Sequence, residues 1–165
     1  MNVYYAILDW IHLLATVTWI GGIIFYTLVL MPATSALDPP QRGKLMGAIS
    51  KKYAPMSGVA ILLLILTGIL INIERGIPVI SLSTTYGIFF FIKHLCVLVM
   101  ICIGVVIALV LGPKLKPPAS GDQPAGSPPP PSPQVIKLQK TMGLLGTINM
   151  VLGIVVLLLT ALARA

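Results

Sequence analysis

The chain's two histidines, His12 and His94, each fall inside a long apolar stretch, at the same offset from Tyr4 and Tyr86, where those stretches begin. Imidazole in hydrocarbon costs free energy unless it finds a partner, so an ionisable side chain at that depth is by default a functional-site candidate. Two of them at one depth on two helices suggest one shared ligand. Neutral imidazole ligates iron, copper and zinc alike. The chain offers nothing for hydrolytic or nucleophilic chemistry: no glutamate in an apolar core, no serine beside a base and no phosphate-cradling glycine run. A bound metal or a metal-containing cofactor is the chemistry that remains.

Asp9, His12, Thr16 and Trp19 recur at helical spacing and therefore share one face of the first stretch. Asp9 is placed to accept the second ring N–H of His12, which fixes the tautomer of a ligating imidazole; otherwise it is an interfacial acid and His12 bonds a neighbouring carbonyl. Gly21 and Gly22 follow, giving close helix approach or room for a bulky planar group. On the third stretch Lys93 precedes His94 and is the only Lys or Arg well inside a predicted span. Such an ammonium must snorkel to the surface, pair with an anion or lose its proton. Asp9 or a ligand carboxylate would serve as the anion.

Two axial imidazoles on two helices would give haem b a six-coordinate, low-spin site suited to electron transfer. Its propionates would point outward, toward Lys93, Arg75 and Arg164. Copper is the alternative. The cuprous ion prefers thioether and thiolate, and Met100 and Cys96 lie on the same helix as His94. The connection GIPVISLSTTYG has no Met, His or Cys to capture an incoming ion.

These residues must be positioned by membrane helices. Of the 165 residues, 57% are hydrophobic and 9% charged, with a mean hydropathy of +1.00, far outside the composition of a soluble domain. Tyr4 to Met31, Ala54 to Ile73, Tyr86 to Gly112 and Met142 to Ala163 are each long enough to cross ~30 Å of hydrocarbon. The expected fold is an all-α four-transmembrane-helix bundle, a single membrane domain over residues 1–165. The net charge of +7 reads as topology and not as nucleic-acid binding. Arg42, Lys44, Lys51 and Lys52 lie between spans one and two, and Lys114, Lys116, Lys137 and Lys140 between spans three and four. By the positive-inside rule both loops are cytoplasmic and both termini outside. The first span lacks a basic leader and a cleavage pattern and is expected to be retained.

Residues 113–136 are expected to form a disordered Pro-rich cytoplasmic loop, since PKLKPPASGDQPAGSPPPPSPQ can bury no core. Its proline run is read as a spacer, with polyproline II docking of a partner as the other reading. Within the first loop, QRGKLMGAISKKY has apolar residues at helical spacing and suits a short helix lying on the inner leaflet. Cys96 and Cys102 fall on different turns and are read as packing residues. The two halves are faintly alike: each pairs a span containing His with a span ending in a Leu-rich stretch with one Thr, LLILTGIL at Thr67 and VLLLTALA at Thr160. Parallel repeats would turn His12 and His94 toward each other.

Four stretches, HLLATVTWIGGIIF, SGVAILLLILTGIL, IKHLCVLVM and LGIVVLLLTALA, together resemble the copper-resistance D (CopD-like) family of bacterial and archaeal membrane proteins. The resemblance implies a four-span core with His12 the characteristic polar residue of the first helix and Lys93 that of the third, and handling of copper at the outer face. The first span is also similar to HemJ-type protoporphyrinogen oxidases, which implies haem b; beyond the glycines, YTLVLMPA departs from that group. The leading expectation is a haem b-binding electron-transfer or redox-coupling protein with His12 and His94 as axial ligands. Lys93, Asp9, Trp19, Arg75 and Arg164 would surround the cofactor. Copper binding or uptake is the second reading, and a cofactor-free scaffold subunit the third. Expected partners are lipid, a redox partner protein, and a second copy or a larger membrane complex.

Overall fold

A computed structural model describes residues 3–74, 76, 84–114 and 133–163. They form four long helices: α1 (Val3–Ala36), α2 (Pro39–Glu74), α3 (Thr85–Lys114) and α4 (Pro133–Leu162). At 1.5 Å per residue the shortest is about 45 Å long, more than the ~30 Å of hydrocarbon. The protein is thus a multi-pass, all-α membrane protein, and its helices project beyond the apolar slab at their ends. Large apolar side chains such as Trp10, Leu13, Leu109 and Leu158 lie on the outside, as lipid contact requires.

Local sequence sets the ends. Proline begins α2 and α4, where its missing N–H costs nothing. Thr84 caps α3, its hydroxyl accepting from the Gly87 amide at 3.1 Å. Gly76, at φ +59°, follows α2 in the left-handed conformation that a side chain would disfavour, and its amide bonds the Ile73 carbonyl. α1 closes with a 3-10 turn over Thr34–Ala36, then Leu37 turns extended and the chain reverses into α2. Wide π-helical turns interrupt α1 at Val17–Gly21 and Tyr26–Leu30, and α3 at Val106–Leu111.

The helices pack as two antiparallel pairs, α1 with α2 and α3 with α4; the pairs meet where α4 lies against the middle and later part of α1, residues 17–30. Their shared core is small: Ala15, Trp19, Ile20, Ala60, Met100 and Val156, with Cys96 and Leu152 among the side chains packed around it. At one end of the first pair the Tyr5 hydroxyl donates to Glu74 Oε2 at 2.9 Å. The opposite end carries Arg42, Lys44, Lys51 and Lys52.

Three boundaries differ from expectation. The basic segment from Gln41 to Tyr53 does not form a separate short helix on the leaflet; it is the first third of α2, which runs unbroken through Pro55. A helix already held by a neighbour tolerates a proline that would end an isolated one. The presumed loop also loses its ends, because Pro113 and Lys114 finish α3 and residues 133–136 open α4. The rest of that loop, together with Arg75 and Arg164, lies outside the described residues.

Candidate functional site

His12 lies half-buried at the seam between α1 and α2. Its Nδ1 is 2.7 Å from Thr67 Oγ1. The Thr67 hydroxyl donates its one proton to the Leu63 carbonyl at 2.6 Å, so toward His12 it accepts, and Nδ1 carries the ring proton. In the neutral imidazole the lone pair then sits on Nε2, the atom able to bind a metal. A ligating histidine is oriented in just this way, by a hydrogen bond from its other nitrogen. Gly68 lies against the ring, where an added Cβ would stand 3.5 Å from His12 Cε1, in ordinary van der Waals contact. Thr16, one turn along, donates to the His12 carbonyl. Asp9 is half-buried, one turn before His12 on the same helix.

His94 is arranged differently. Its Nδ1 donates to the Phe90 carbonyl of its own helix at 2.7 Å, and its ring packs on Phe90 with centroids 4.1 Å apart, on the exposed side of α3. Lys93 reaches back one turn, its Nζ 5.1 Å from the centre of the same Phe90 ring. The contacts that hold the two histidines thus lie on different elements, α2 for His12 and α3 itself for His94. Cys96 and Met100 occupy the other side of α3 and face the core, Met100 with 0% of its surface exposed.

Trp19 is a core residue, 4% exposed, and its carbonyl accepts the Tyr53 hydroxyl at 3.2 Å. The planar group that Gly22 makes room for is the Tyr53 ring: a Cβ at Gly22 would come within 2.6 Å of it. Tyr53 in turn stacks on Tyr26 at 6.5 Å. Among the described residues no group of three or more His, Cys, Asp or Glu gathers around one point. A metal ion at His12 would therefore need donors of other kinds; the sulfurs of Cys96 and Met100 pack with the core cluster around Ala15 and Trp19.

The partner of His12 escapes sequence reasoning because helical periodicity shows which residues share a face but not which residue of another helix faces them. The one signal was the Thr–Gly step at Thr67 and Gly68, a polar residue beside a close-approach residue in an otherwise apolar run.

The family model of copper resistance protein D matches residues 47–163, which takes in α2 from its basic third onward and all of α3 and α4. No curated protein and no solved structure matches the chain. The likeness of the first span to HemJ-type proteins has no counterpart in these comparisons, and nor does haem.

Proposed function

This chain belongs to the copper resistance protein D family, and from that premise we propose that it binds copper within the membrane, with His12 Nε2 as the ligand that anchors the ion. The observation that carries this reading is the His12–Thr67 hydrogen bond, which holds the imidazole in the tautomer a metal needs and ties it to the matched helix α2. Copper is here the cargo. Imidazole accepts either oxidation state, while the inward-facing Cys96 and Met100 favour the cuprous ion. Lys93, with its ammonium over Phe90, acts as an anchor toward the helix end. We orient the basic helix ends to the cytoplasm of a prokaryotic inner membrane and both termini outside; cysteines placed at Gly121 and Ser81 should label from opposite sides.

The test is metal analysis and the optical spectrum of the purified protein. One retained copper, lost in His12→Ala, is the expected result. A colourless protein that retains no copper from copper-replete cells would sink the proposal, and a Soret band lost in the same variant would restore haem b in its place.

A further inference from the structure

On the lipid-facing side of the first helix pair an apolar groove of about 390 Å³ opens between α1 and α2. Its floor is Ala15 and Ala60, each 3% exposed, small side chains that leave the seam open between larger neighbours. Leu14 forms one wall, Met56 and Val59 the other, and all three are about half exposed. Along α2 the groove runs from Pro55 to Leu63, a length of about 12 Å at 1.5 Å per residue. That is close to the depth of one leaflet, half of the ~30 Å of hydrocarbon.

The Pro55 end of the groove is marked by charge. Lys51 precedes Pro55 by four residues, and Lys52 precedes Met56 by four and Val59 by seven, so both lysines stand on the groove's side of α2. Lys44 continues the same face, seven residues before Lys51. All three are exposed, and helical side chains lean toward the N-terminus, here out of the hydrocarbon and toward the headgroups. The one carboxylate of α2 is Glu74, at its opposite end. A groove as deep as one leaflet, apolar along its length and cationic at its mouth, matches an anionic phospholipid, with phosphate at the lysines and an acyl chain against the alanines. A second copy of the chain does not match it. Two copies inserted the same way meet about an axis along the membrane normal, which would set these lysines against their own counterparts.

We propose that the α1–α2 groove binds one anionic phospholipid from the leaflet at the basic end of the bundle, its phosphate held by Lys51 and Lys52 with Lys44 beside them, and one acyl chain lying over Ala15 and Ala60. The chain would end at Ile11 and Leu63, the neighbour of His12 and the residue whose carbonyl accepts from Thr67. It thereby seals the seam from the lipid side up to the level of the His12–Thr67 contact. The site stands whether or not His12 binds copper.

The experiment is native mass spectrometry of the full chain, released from lipid nanodiscs and titrated with phosphatidylglycerol or with phosphatidylcholine of the same acyl chains. One phosphatidylglycerol per chain should be retained, about tenfold or more tightly than phosphatidylcholine. A lysine near the surface is worth about fivefold in affinity for an anionic lipid, so Lys51→Gln combined with Lys52→Gln should weaken phosphatidylglycerol roughly 25-fold. Lys137→Gln combined with Lys140→Gln removes the same charge from α4, away from this groove, and should change the affinity by about twofold or less. Val59→Trp and Leu14→Trp each set a large ring on an exposed wall, outside the buried seam, and should each weaken phosphatidylglycerol roughly tenfold by blocking the acyl chain. Equal losses in the two lysine pairs would leave only the general charge of that end, and equal retention of the two lipids would leave the lysines without a role; either result overturns the site. Unchanged phosphatidylglycerol in both tryptophan variants would take the acyl chain out of the groove. A two-chain mass that excludes the lipid would make the groove an interface between copies, and each of these also overturns the proposal.

Discussion

The two halves of the molecule pack alike and differ at the residue that matters most. In each, a helix with a histidine runs antiparallel to a helix with a Leu-rich, Thr-containing end, α1 with α2 and α3 with α4. In the first half the histidine bonds that threonine across the seam, His12 to Thr67. In the second it bonds its own helix, while Thr160 donates to the Val156 carbonyl. The likeness of the two halves therefore extends to helix pairing and not to the bond the histidine makes. Helix pairing needs only small and apolar residues at the seam, whereas a functional imidazole needs a partner at one register, which Thr67 supplies to His12.

His12→Ala carries the largest effect expected from this contrast. It removes the anchoring ligand and should abolish stoichiometric copper, read as metal content after gel filtration. Retention of a full equivalent would move the site elsewhere in the bundle.

Thr67→Val keeps the shape and removes the acceptor that sets the His12 tautomer. Copper affinity, measured by competition with a Cu(I) chelator, should fall by about 10–100-fold, while stability falls by ~1 kcal/mol. Thr160→Val, at the matching place in the second half, should leave affinity unaltered. Equal losses in both variants would erase the difference between the halves.

These two variants also mark how far the sequence could be read. Four spans were legible because hydrophobic length alone dictates them, and His12 stood out because imidazole is costly in hydrocarbon. The continuity of α2 through Pro55 was not legible, since neighbours and not propensity decide whether a proline breaks a membrane helix. Nor was the direction of His94: α3 is apolar on every side, so its pattern does not say which face turns inward, and Cys96 and Met100 took that face by packing. Asn149 looked like an ordinary span residue; only the structure reveals its Oδ1 as buried with no hydrogen-bond partner.

Gly22→Ala is expected to act on stability and not on copper. The added methyl would meet the Tyr53 ring at 2.6 Å and displace it from both Tyr26 and the Trp19 carbonyl. Overpacking of this kind costs about 1–3 kcal/mol, measurable by thermal or denaturant unfolding in detergent. In a Tyr53→Ala background the same change should be nearly neutral, since the ring it strikes is gone. A cost that persists there would place the close approach at Gly22 elsewhere than on Tyr53.

The smallest effect is expected at His94, and it is the most informative about the shared-ligand idea. The ring is held by the Phe90 carbonyl four residues back and by the Phe90 ring, on the exposed side of α3. For His94 to reach an ion at His12 it would have to give up both contacts and swing past its own helix, toward the side where Cys96 and Met100 pack. His94→Leu should therefore leave copper affinity within about threefold of wild type, well below the ~10-fold expected as the least cost of disturbing a ligand's support. Stability should be unaltered or slightly higher, because an imidazole nitrogen on a lipid-facing surface is replaced by an alkyl group. A loss matching that of His12→Ala would show that both rings bind one ion, and the difference between the two halves would then belong to the metal-free protein alone.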